Sequence, residues 1–207
     1  ITASRRTTGN FIDNAMELVR KHVPPPEPEE MRRAYMLAQE ECLSSGLTTI
    51  HDMGVTPERL ALLKELDAEG QLKLRVLAYH DGAAADLAKR LEGGPVLPDP
   101  KSSARLSIPG VKVVADGALG SRGAALFAPY SDDRRNRGLL LIEPEVFEAK
   151  VQTVVQAGFQ PATHAIGDRA NAMVLDVYER IVGADAERIR PRLEHAQILR
   201  LEDIERF

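Results

Sequence analysis

Apolar positions change their spacing repeatedly along the chain. Met31, Ala34, Tyr35, Ala38 and Cys42 recur at helical intervals, and Ser44-Ser45-Gly46 closes that helix, with Gly46 suited to a left-handed cap. The short β-branched run Leu47–His51 then reads as a strand. Thr56-Pro57 starts a second helix with Leu60, Leu63 and Leu66 inward, and Gly70 lies just past its end. Leu72–Tyr79 is the next strand, running into His80-Asp81-Gly82. Ala83–Glu92 is compatible with a helix, and residues 93–109 form a Pro-rich loop. Val111–Ala115 is a third strand, followed by a Gly-, Arg- and Asp-rich stretch from Asp116 to Gly138. Pro144 opens a helix with Phe147, Val151 and Val154 on one face, and Phe159–His164 is a fourth strand. Asp168–Val182 is a helix with Met173, Val177 and Ile181 inward, Arg192–Gln197 a fifth strand, and Leu201–Phe207 the start of another helix. Residues 1–28 are an irregular, polar segment ending in the stiff connector 23–28, and residues 29–207 carry the βα units.

Strands alternating with helices of this length predict right-handed βαβ units and a parallel sheet, an α/β fold. No phosphate-binding glycine fingerprint follows any strand, which weakens a doubly wound nucleotide-binding sheet. The better match is a (β/α)₈ TIM barrel, of which five strands make only a part. The sequence starts at Ile1 and stops at Phe207 inside a helical pattern, so we expect a portion of a longer protein.

Composition narrows the classes. The 207 residues carry 27 Lys and Arg against 31 Asp and Glu, a formal charge of −4, which argues against nucleic acid as the main partner. A single cysteine, Cys42, excludes a disulfide framework within the chain and reads as a small buried apolar residue. No apolar run approaches the ~20 residues that span a bilayer. The expectation is a cytoplasmic protein with no membrane partner.

The five histidines are His22, His51, His80, His164 and His195, and all but His22 fall at the C-terminal ends of the predicted strands. In a (β/α)₈ barrel those ends form the catalytic face, and converging imidazoles there are the raw material of a metal site. Lys112 lies inside the predicted strand Val111-Lys112-Val113-Val114. A buried ammonium is costly, so Lys112 either snorkels to solvent, serves as a Schiff-base amine, or is converted by carbon dioxide to an anionic carbamate.

Four strings in order carry a family resemblance: residues 46–54 (GLTTIHDMG), 111–126 (VKVVADGALGSRGAAL), 163–171 (THAIGDRAN) and 192–197 (RLEHAQ). Together they resemble the metal-dependent amidohydrolase superfamily, in particular its YtcJ-like, amidohydrolase-3 branch, from about Thr8 to Phe207. The resemblance implies a TIM barrel of which this chain holds about strands two to six. It implies one or two divalent metals, zinc above all, with Lys112, His164 and His195 as ligands, Lys112 in carboxylated form if the site is binuclear. His51, His80, Asp116, Ser121, Arg122 and Asp168 are candidates for substrate binding; Arg122 suits a carboxylate clamp and Asp168 more simply caps a helix. Glu194 alternates with His195 and reads as structural.

The departures are specific. The sequence has no His-x-His pair, which the family's first strand supplies, and no seventh or eighth strand to carry the catalytic Asp. We therefore expect half a site: the parent protein a hydrolase of C–N bonds in amides, formamides or cyclic amides, and the present chain inactive. The competing readings are a Schiff-base lyase built on Lys112 and a non-catalytic barrel with a regulatory role. The open barrel should also self-associate through its exposed strand edges.

Overall fold

Five parallel strands lie side by side in chain order: β1 (Thr49–Val55), β2 (Arg75–Asp81), β3 (Leu106–Val114), β4 (Gln160–Ala165) and β5 (Arg192–His195). The structure is a computed structural model that describes residues 9, 11 and 13–207; the rest of the N-terminal segment, including its first eight residues, lies outside the described residues. Helices α1 (Glu17–Arg20) and α2 (Pro28–Ser44) precede the sheet, and α3 (Pro57–Ala68), α4 (Leu87–Arg90), α5 (Pro144–Gln156), α6 (Asp168–Ile181) and α7 (Ala186–Ile189) occupy the crossovers. A strand order that never reverses is that of a barrel wall and not of a doubly wound sheet with its switch point. The expected partial (β/α)₈ barrel is what the chain forms.

Pleating gives the sheet two unlike faces. On the outer face Val76, Ala78, Val111, Val113 and Ala165 are buried against Leu63 and Leu66 of α3, Phe147, Val151 and Val154 of α5, and Val174 and Val177 of α6. The inner face carries His51, Tyr79, Lys112, Val114, His164, Arg192 and Glu194, of which only Tyr79 is buried outright.

Several expected boundaries move, each for a local reason. The strand expected at 47–51 runs from Thr49 to Val55, through Asp52 and Gly54. Asp52 is tolerated because the Tyr35 hydroxyl of α2 donates to its carboxylate at 3.1 Å. Gly54 is tolerated because the ladder to β2 slips between Met53 and Val55, where its φ of 94° is needed. The loop expected to reach Pro109 ends instead at Leu106, and Pro109 lies within β3. Its missing N–H falls beside a second register shift, between Leu77 and Tyr79, and Ile108 exchanges two backbone hydrogen bonds with Val96.

The helix expected over 83–92 shrinks to the single turn of α4. Upstream of it, Asp81 accepts from the Ala83 amide through its side chain and from Ala84 through its carbonyl, a local turn that competes with helix. The N-terminal segment contains a 3₁₀ turn at Asp13–Met16 and α1, so it is not wholly irregular, and α2 already begins at Pro28. On α6 the buried stripe is Val174, Val177 and Tyr178, with Met173 and Ile181 at its margin. The closing helix is 3₁₀, Leu201–Arg206.

Candidate functional site

The register fixes which side chains can meet. His164 pairs with Val114 of β3 and Glu194 of β5, and one inward position earlier Ala162 pairs with Lys112 and Arg192. Lys112, His164, Arg192 and Glu194 therefore share the inner face, with Lys112 one layer below His164. Strand alternation alone would turn His195 outward with Leu193. Its φ of 77°, followed by 43° at Ala196, folds the imidazole back over the strand end. There its ring centroid is 4.6 Å from that of His164, the planes crossing at 70°. The left-handed pair costs roughly 1–2 kcal/mol per residue. It is held by backbone hydrogen bonds from Ala196 to Ala165 and from Ile198 to Ile166.

Electrostatics favour neutral groups here. Burial brings the Lys112 amine down to about 8, with Glu194 opposing. Burial first, then the charges of Lys112 and His195, hold His164 below the usual imidazole range. The His164 Nε2 atom is buried, has no hydrogen-bond partner among the described residues and lies 3.5 Å from Asp116 Oδ1. An orphaned ring nitrogen beside a second imidazole fits a divalent metal as two of its ligands. Among the described residues, no group of three His, Cys, Asp or Glu side chains is placed to hold one.

The substrate-binding candidates fall elsewhere. Asp116 is completely buried and accepts backbone hydrogen bonds from Ala125, Ile166 and Gly167, all at 2.8–2.9 Å. It fastens the loop after β3 to the end of β4 and is closed to a substrate. Arg122 has both prongs of its fork on Asp132, at 2.8 and 3.1 Å, which occupies the carboxylate clamp from within. Ser121 Oγ donates to the Ala118 carbonyl, in the same turn. Asp168 is the first residue of α6, with Gly167 at the cap position, and its carboxylate accepts from the amides of Arg169 and Phe127.

His80 lies at the C-terminal end of β2 but faces the helical layer, edge-on to Phe159 with centroids 5.7 Å apart. His51 is on the inner face, yet near the start of β1 and not at its end. His22 is exposed, and Cys42 is partly buried against the core.

Sequence reasoning missed a polar network centred on Arg192. Its guanidinium donates twice to Glu194, at 2.7 and 3.2 Å, and also to the Tyr79 hydroxyl at 3.2 Å and His51 Nδ1 at 2.6 Å. Arginine can only donate, so His51 Nδ1 must be the accepting nitrogen. Burial and Arg192 keep its imidazole below the ordinary range, in that accepting form. The Tyr79 hydroxyl donates in turn to Gln160 at 2.6 Å. Glu194 thus faces inward like His195, contrary to the alternation expected: Glu194 is inward by register, and His195 by its backbone turn. The period-two spacing of Arg192 and Glu194 was the available signal, and it became informative only once β5 was fixed as an edge strand.

A five-stranded segment of (β/α)₈ wall, with two imidazoles and a half-buried lysine on its concave side, defines the chain as part of a TIM-barrel protein. The model of the Amidohydrolase family matches residues 3–207, and the chain belongs to that family. Over a 217-residue alignment it is 34% identical to "Protein LONG AFTER FAR-RED 3" of Arabidopsis thaliana, covering 99% of this chain and 36% of that one. It is 31% identical to "Putative amidohydrolase YtcJ" of Bacillus subtilis (strain 168), covering 99% and 38%. An uncharacterized metal-dependent hydrolase from Pyrococcus horikoshii OT3 superposes with a TM-score of 0.80 at 30% identity, covering 97% of this chain and 41% of that one. The chain thus spans roughly two fifths of the length of these relatives.

Proposed function

We propose that the chain supplies one wall of the active site of a metal-dependent hydrolase acting on C–N bonds of small amides, formamides or cyclic amides. The observation that carries this reading is the His164–His195 pair, with an uncommitted Nε2 on the strand beside Lys112 and one inward position beyond it. His164 and His195 would hold a divalent metal, zinc by their all-nitrogen chemistry. Such an ion polarises a carbonyl and lowers the pKa of bound water.

A catalytic zinc needs about three protein ligands and an open position. Two imidazoles fall short, and Lys112 contributes only after its amine has added carbon dioxide, forming an N–C bond and releasing a proton. The remaining ligands and a general base then belong to a chain of the relatives' length. The residues present still have definite work. Asp116 pins the loop that shelters His164, and Glu194, locked by Arg192, offsets positive charge beside Lys112. The proposal keeps the cytoplasmic location expected from composition; among the described residues no helix is long and apolar enough to cross a membrane.

The test uses both lengths of protein. The 207-residue chain should show an unmodified Lys112 by mass spectrometry, less than one metal per chain after dialysis, and no amide hydrolysis. The longer parent should bind one or two metals and lose both metal and activity on His164→Ala or His195→Ala. Full activity in either variant would refute the site. The amine at about 8 favours one second reading, a Schiff-base enzyme. Borohydride trapping of a carbonyl substrate on Lys112 would establish that reading, although it leaves the two imidazoles without a task.

A further inference from the structure

A cavity of about 470 Å³ lies on the side of the sheet opposite the histidine pair, between the outer face of β2 and β3, helix α3 and the loop after α4. It exists because the crossover between these strands contributes only one helical turn, so the helical layer is thin there. Every element around it belongs to this chain, and it shares no residue with the inner face. The volume lies within the range of small-ligand sites.

Its lining is divided. Leu60, Val96 and Ile108 provide apolar wall, while His80, Lys64 and Arg90 supply donors. His80 is the informative residue. It is only 7% exposed, lines the cavity, and makes no hydrogen bond among the described residues. Its ring nitrogens are not among the buried unpartnered atoms, so they open onto the cavity and are free to meet an acceptor that enters it. Burial, then the charges of Arg90 and Lys64, hold its imidazole below the usual range. Even a neutral ring offers one N–H. Arg90 gives its Nε to Asp86 at 2.7 Å. One carboxylate, Glu92, sits at the exposed rim.

We propose that this cavity binds a small organic anion, with its carboxylate or phosphate against His80, Lys64 and Arg90 and its apolar body against Leu60, Val96 and Ile108. The site is independent of the metal reading, since it lies on the other face of the sheet. The test is an NMR titration of the 207-residue chain with labelled histidine, using benzoate, phenyl phosphate, inorganic phosphate and benzyl alcohol as probes. Benzoate or phenyl phosphate should move the His80 ring resonances saturably, and the tighter of the two identifies the head group. Lys64→Ala, an exposed position, should weaken that probe at least fivefold while the His164 and His195 signals stay in place. The proposal is overturned if neither organic anion moves His80, if the shifts fall on His164 or His195 instead, or if Lys64→Ala binds as tightly as the parent chain. Benzyl alcohol matching benzoate would remove the anion requirement, and inorganic phosphate matching phenyl phosphate would remove the apolar one; either result overturns the assignment.

Discussion

Asp116 shows what one buried side chain can organise. Three backbone amides, from Ala125, Ile166 and Gly167, converge on its carboxylate. Asp116→Ala would leave all three buried without an acceptor, at about 1–3 kcal/mol each. We expect at least 3 kcal/mol lost in urea unfolding, and a loss below 1 kcal/mol would show that other acceptors replace it. Lys112 gives the second prediction at this scale. Its amine is at about 8 in the fold against 10.5 ordinarily, so between those pH values the unfolded chain binds more protons. Stability attributable to Lys112 therefore rises with pH across that window, and the penalty is present in full below it. Lys112→Met should be more stable than the parent at pH 7, with the difference shrinking by pH 10.5. A constant difference would show that Lys112 is solvated. Lys112 was legible in sequence because a charge inside an apolar strand stands out. Asp116 and Arg122 hold partners of their own chain in this fold, which the sequence does not show because a loop carboxylate and a loop guanidinium look alike whether they face a ligand or their own chain.

Among the elements, β5 depends most on its partners. It has four residues and, among the described residues, pairs with β4 alone. Arg192 extends from it across the concave face to Tyr79 on β2 and His51 on β1. It thereby ties the last strand to the first and helps set the curvature of the wall. Arg192→Met should cost about 1–3 kcal/mol, because Glu194 loses its charged partner. It should also let the His51 pKa rise, since burial and the Arg192 charge together depress it. A His51 titration by NMR that is unchanged in the variant would dissolve the clasp. Helices α3 and α5 were legible because Pro57 and Pro144 open them and their expected stripes are buried, with Thr56 accepting from the Arg59 amide at 3.4 Å; on α2 the buried residue is instead Gln39, with Ala34 and Ala38 exposed. Strand β1 was placed four residues early at its C-terminal end, because Asp52 and Gly54 carry turn chemistry that Tyr35 and a bulge neutralise.

For the whole molecule the open sheet is the dominant fact. β1 and β5 each leave one edge unpaired within the sheet, and Val114, at 45% exposed, sits on the concave face. Unpaired edges recruit strands from other chains. We expect self-association in light scattering at micromolar concentration, weakened by a lysine at an outward edge position of β1. A monomer at all concentrations would show that both edges are protected by other means.

The sequence by itself determined the number and order of the strands, the parallel direction and the outer core. Those follow from local periodicity, caps and crossover lengths, all of which act over a few residues. It also placed Lys112 and His164 on adjacent strands. Tertiary structure alone decided which faces they share, because a one-residue change in strand phase or one left-handed residue reverses a side chain. His195 reaches His164 only through its φ of 77°, and His80 is turned to the helical layer by the register of β2. The pairing of His51 with Arg192, 141 residues apart in the chain, depends on sheet curvature, which no local pattern encodes.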